Sequence, residues 1–195
     1  PLVSVFVTGY LTLAVIGPIF TTLEDGIING VQALIQLPFG IGSFIMGGLY
    51  AVTVVAGIHH MYTLIDLGQL AKFGFTYWLP LASAANVAQG GAAFAVALKS
   101  KNAKVKSMAL PSALSACMGI TEPAIFGVLV GGACGALYAS VTGLGATGTG
   151  VTGIFGILLH LHMPLQYLIM MAISFGVSFA VTWVIWTPEA EEAKA

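Results

Sequence analysis

Arginine is absent from this chain, and charge of either sign is scarce: 7% of its 195 residues are Asp, Glu, Lys or Arg. Soluble domains carry about 25% charged residues, so a water-facing globular surface is excluded. The few charges are also clustered, leaving 1–23, 26–65, 73–98, 107–121 and 123–188 without any. One spanning helix needs about 20 apolar residues, so the last of these runs has room for two or three. With a mean hydropathy of +0.99, the composition predicts an all-α, polytopic membrane protein.

Other absences narrow the chemistry. The two cysteines, Cys117 and Cys134, lie in apolar segments without CxxC spacing, which fits small buried hydrophobes rather than a disulfide or metal site. The pairs His59-His60 and His160/His162 lack the i,i+4 spacing that sets two ligands on one helix face, and there is no HExxH; no metal site is expected. The glycine-rich stretch GLGATGTGVTGIFG, 143–156, lacks the Gly-Lys-Ser/Thr ending of a phosphate loop, since no lysine lies between Lys106 and Lys194. It reads as a connection or a site of tight helix packing. No Ser-His-Asp or paired-carboxylate arrangement is legible, no cofactor is implied, and no basic patch points to nucleic acid. Four of the six lysines fall in KSKNAKVK, 99–106, a loop expected on the cytoplasmic side. Pro1 is not an initiator Met and no basic segment follows it, so the chain reads as part of a longer protein with no signal peptide to discount.

Residues 1–23 read as a spanning helix with Gly17-Pro18 as a kink point, followed by an amphipathic segment and a second span from about Phe39 to His60. The segment 73–98 carries Pro80 and Gly90-Gly91, and 107–130 carries Pro111 and Glu122-Pro123; both read as interrupted. Paired interrupted segments mark a transporter's midplane site. A last span, 164–187, closes on Trp183 and Trp186, and the polar tail 188–195 is solvated.

The stretch SACMGITEPAIFG, 115–127, sets a single carboxylate, Glu122, among apolar residues. Burying a charge there costs several kcal/mol, which makes Glu122 a functional candidate. Pro123 removes a backbone donor and disfavours helix at Glu122, so the incoming helix is expected to end near Thr121-Glu122 against a solvated cavity. In AGIHHMYTLID, 56–66, His59 and His60 point about 100° apart on a helix, so one of them lines a given site. Asn86 and Gln89 add amides, and Trp78 or Tyr62 an aromatic face. A carboxylate, an imidazole, amides and an aromatic ring suit a sugar better than an ion or a lipid.

GITEPAIFGV, 119–128, resembles the signature of enzyme IIC, the membrane subunit of the bacterial sugar phosphotransferase system, in its glucose superfamily. VAGIHHMYTLIDLGQLA (55–71), PLASAANVAQGGA (80–92) and LPFGIGSFIMGGLYAV (37–52) resemble its sucrose-type branch, with trehalose and β-glucoside members as near relatives. The resemblance implies a homodimer in the bacterial plasma membrane, with about five to six spanning helices in this chain. Residues 1–187 would form the C-terminal part of the IIC domain. Two re-entrant hairpins, roughly 73–98 and 107–127, would hold the sugar, and a phosphocysteine on a partner enzyme IIB domain would phosphorylate it. Glu122 would accept sugar hydroxyls and assist deprotonation of the attacking one. Thr121, Asn86, Gln89 and one of His59 and His60 would complete the site. Where the family continues Asn-Leu-Arg after the signature, Val128 runs into Leu129-Val130, and neither cysteine matches the IIB motif; transferase activity is expected only within a complex. Two other readings stay open: a proton- or ion-coupled carrier relaying through Glu122, His59 and Asp66, and an inactive structural fragment.

Overall fold

A computed structural model describes residues 2–56, 62–120 and 128–187. The first rod is α1 (Leu2–Leu11), a π-helical turn (Thr12–Ile16) and α2 (Gly17–Ile35). The π turn answers Pro18: its ring would strike the carbonyl four residues back, and the wider turn, closed by the Gly17 N–H on the Thr12 carbonyl, makes room. The Thr22 hydroxyl bonds the Pro18 carbonyl at 2.8 Å. A sharp corner follows at Phe39 (φ 60°) and Gly40 (φ 69°), turning the chain by 91° into α3 (Ile41–Val55). Next come α4 (Tyr62–Phe73), α5 (Trp78–Lys99), α6 (Ala103–Cys117) and α7 (Val128–Val141). A 3-10 turn (Gly153–Leu159) and α8 (Pro164–Ile185) complete the chain. Among the described residues, the β pairing is one isolated bridge, Thr76 to Ala146.

Among the described residues, three helices are long and apolar enough to cross a membrane: Leu2–Ile19, Trp78–Lys99 and Pro164–Ile185. The bent pair Asp25–Ile35 and Pro38–Val54 makes a fourth if it is one span. The axis of the fold is α5, buried along nearly its whole length between α3, α6, α7 and α8. Its run of alanines and glycines permits this, because small side chains let apolar helices approach closely where no hydrophobic force draws them together.

The segment 73–98 is not interrupted as its composition predicts. Trp78–Lys99 is a continuous helix, with Pro80 in its first turn, where a missing N–H removes no helical bond. Gly90-Gly91 is a packing surface, not a break: an ideal Cβ on Gly91 would stand 2.4 Å from the Phe175 carbonyl oxygen of α8. Helix α6 likewise continues through Pro111.

The ends of these helices are tied by polar side chains. The Asn102 side chain accepts the Lys104 N–H at 2.9 Å and caps α6. The Lys99 ammonium, ending α5, donates to the carbonyls of Trp183 and Trp186. It thereby satisfies open acceptors and opposes the dipole at the end of α8.

Candidate functional site

Asn86 and Gln89 lie three residues apart on α5, so they share a face, and both are buried, at 4% and 0% exposure. The Asn86 Nδ2 donates to Thr152 Oγ1 at 2.9 Å. Among the described residues, Asn86 Oδ1 and both polar atoms of Gln89 have no hydrogen-bond partner. A buried polar group left unpaired costs about 1–3 kcal/mol. Three such atoms on one face of one helix are an arrangement that a polar guest would relieve.

Helix α6 leads toward the carboxylate and stops earlier than the proline rule predicts. Gly119 takes φ +97°, the Gly119 N–H bonds the Ala116 carbonyl, and the Ile120 N–H reaches back to Ser115. This is a glycine-terminated Schellman end, complete three residues before Glu122. The Ser115 hydroxyl closes it on the Ile120 carbonyl at 3.0 Å. The helix therefore ends at Cys117 and not near Thr121-Glu122. Thr121, Glu122, His59 and His60 lie outside the described residues.

The loop between α7 and α8 folds over this turn. Gly153 is left-handed, and a Cβ there would lie 2.3 Å from the Cys117 carbonyl oxygen; a Cβ on Gly119 would lie 2.5 Å from Thr152 Oγ1. The two segments approach this closely only because both residues are glycine. On the far side of the loop, Tyr167 of α8 donates to the Gly153 carbonyl at 2.6 Å. The buried ring of His160 stacks on Tyr167 at 4.2 Å, with Nδ1 2.7 Å from the Gly156 carbonyl oxygen. Burial pushes the imidazole below its usual pKa, against the bond to Gly156. His160 is thus a brace for the loop.

A second polar knot ties α4 to α5. The Gln69 Oε1 accepts the N–H groups of Tyr77 and Trp78, at 2.9 and 3.2 Å, and so caps α5 from another helix. Asp66 is 5% exposed and accepts the Thr76 hydroxyl at 2.5 Å and the Thr149 hydroxyl at 3.2 Å. Its described partners are neutral hydroxyls on α4's neighbours, an arrangement that joins three segments. Burial raises its pKa to about 6, against both hydrogen bonds, which lower it. A pKa raised by folding means that stability is fully present below the unfolded value, near 3.8, and is lost as pH climbs through about 6. Melting in detergent should therefore fall between pH 4 and 7, by up to about 3 kcal/mol from this group. In Asp66→Asn the curve should lie flatter over the same range; an unchanged slope would separate Asp66 from the effect.

Trp78 and Tyr62, candidates for covering a sugar ring, pack against each other in a tilted pair with centroids 4.4 Å apart, and Tyr50 stacks on Tyr62 at 5.6 Å. Trp78 is core, about 12 Å of helix before Asn86. A cavity of ≈ 540 Å³ beside the α2–α3 corner is lined by Gln32, Gln36, Tyr77 and Ser140 among others, and by none of the candidate site residues that are described. Thr152 escaped the sequence reading; its only signal was a threonine inside a glycine-rich stretch.

The family model described as "Phosphotransferase system, EIIC" matches residues 1–131. The chain is 39% identical to the sucrose-specific EIIBC component of Salmonella typhimurium, over 95% of this chain and 44% of that protein. It is 39% identical to that of Bacillus subtilis (100% and 45%) and 41% identical to that of Klebsiella pneumoniae (90% and 41%). The chain thus spans less than half the length of the curated relatives it matches. No solved structure matches it.

Proposed function

Because the chain belongs to the phosphotransferase-system EIIC family, we propose that it forms part of a sugar-translocating membrane subunit, with sucrose as the sugar. Transport is coupled to phosphorylation by a partner IIB domain. The EIIBC names of its relatives, in which both components share one protein, support that partner. The observation that carries the reading is the set of unpaired, buried amide atoms on Asn86 and Gln89, on the helix against which α6 packs as it runs into the Gly119–Pro123 signature.

In this reading Glu122 accepts two sugar hydroxyls and draws the proton from the one that attacks the phosphocysteine. Thr121 and one of His59 and His60 stand beside it, and the amides of Asn86 and Gln89 complete the hydrogen bonding of a neutral, hydroxyl-rich guest. The surrounding protein is a multi-pass homodimer in the bacterial plasma membrane, lipid covering its apolar outer faces. The part of it in this chain supplies five to six spans, with α5 and the segment 107–127 on either side of the sugar.

The test is labelled sucrose supplied to membranes that carry the intact transporter. Product should accumulate as sucrose phosphate, require phosphoenolpyruvate and the soluble phosphoryl carriers, and ignore an uncoupler. Uptake of unmodified sugar driven by an imposed pH gradient would overturn the reading in favour of a proton relay. Excess unlabelled trehalose should compete weakly.

A further inference from the structure

We propose that Thr152 is a further contact residue of the sugar site, its hydroxyl and the unpaired amide atom of Asn86 together reading one hydroxyl of the sugar. The inference rests on the sugar-site reading above and adds a residue 66 positions from Asn86 in sequence.

Placement is the first argument. Thr152 is the extended residue just before the 3-10 turn. Its Oγ1 is held on one side by the Asn86 amide at 2.9 Å and on another by the bare Cα of Gly119, where a Cβ would come within 2.5 Å of the oxygen. Gly119 opens the signature. Glu122 follows Gly119 by three residues in the sequence, so in the sugar-site reading Thr152 stands against the turn that opens the same signature.

Valence is the second. The Thr152 oxygen already accepts from Asn86, and no described residue accepts the hydroxyl's own proton. Asn86 Oδ1 is buried with no donor among the described residues. A sugar hydroxyl is both acceptor and donor, so one such group takes the Thr152 proton and gives its own to Asn86. Turning the amide over exchanges the orphaned acceptor for an orphaned donor and leaves the vacancy for one hydroxyl in place. Gln89, one turn along and unpaired at both polar atoms, extends the same surface. A site built to hydrogen-bond a hydroxyl rejects an analogue lacking it, because its buried groups are then left unpaired. The Asn86–Thr152 pair is therefore a specificity element.

The experiment measures sucrose affinity at equilibrium in the purified intact transporter, for the parent, Thr152→Val and Thr152→Ser, with a set of monodeoxysucroses. Valine keeps the shape and removes the hydroxyl, so Kd should rise about ten- to fiftyfold, while serine stays within about threefold. One monodeoxysucrose that binds the parent weakly should lose nothing further in Thr152→Val. An unchanged Kd in Thr152→Val, or the same loss for every deoxy analogue, would show a tie between loop and helix only and overturn the proposal. Thr152→Ala is read the same way and stands in where the valine variant does not accumulate. Glu122→Gln is the companion: if it binds sucrose normally, the sugar-site reading fails. If it loses binding while Thr152→Val keeps it, the role of Thr152 alone fails.

Discussion

Glu122→Gln is expected to abolish phosphoenolpyruvate-dependent sucrose uptake, by at least a hundredfold, with the protein still present in the membrane. Glutamine keeps the side chain's size and its acceptor oxygen but removes the charge and adds a donor. A hydrogen bond to a charged group contributes about 1.5–3 kcal/mol, and two weakened together already account for a hundredfold. If the carboxylate also takes the proton from the attacking hydroxyl, a further factor of about 10²–10⁴ is lost. The fold should survive. The helix that leads to Glu122 is stopped by Gly119 and the back-bonds to Ala116 and Ser115, none of which involves the carboxylate. Uptake normalised to transporter in the membrane checks this. Wild-type uptake would remove Glu122 from the site, and loss of the protein itself would give it a structural role.

Glu122 stands out in the sequence as a candidate because one carboxylate in a long uncharged stretch has few innocent explanations. Asn86 and Gln89 are candidates for a related reason, as amides on a segment made mostly of alanine, glycine and apolar residues. The same segment misled on local structure. Proline and glycine interrupt a helix, or start it and let a neighbour close in, and the sequence reads identically in both cases. Only the packing of α8 and α6 on α5 decides for Pro80 and Gly90-Gly91. The end of α6 was assigned to Pro123 when Gly119 had already made it, since a left-handed glycine stops a helix before the downstream proline acts. Thr152 was out of reach, because nothing along the chain says that residue 152 meets residue 86. Asp66 fitted a proton relay by composition, whereas its hydroxyl partners come from Thr76 and Thr149, one of them in a loop far along the chain.

A large loss of stability is expected from Gly91→Ala. A Cβ on Gly91 would meet three backbone atoms of Phe175, the carbonyl oxygen at 2.4 Å and the carbonyl carbon and Cα at 3.1 Å. A flexible side chain could turn away, but backbone in the middle of α8 yields only if the helices part. Overpacking of this kind costs about 1–3 kcal/mol and occasionally more; with rigid backbone on both sides, about 3 kcal/mol is expected. Gly176 supplies the control. It lies on α8 next to Phe175, but a Cβ there would meet nothing within 4 Å, and alanine is the better helix former by about 1 kcal/mol. Heating detergent-solubilised protein and following the monodisperse peak on size exclusion should show Gly91→Ala melting many degrees below the parent, and Gly176→Ala at or above it. Equal melting of the two variants would mean that α5 and α8 do not meet as closely as this.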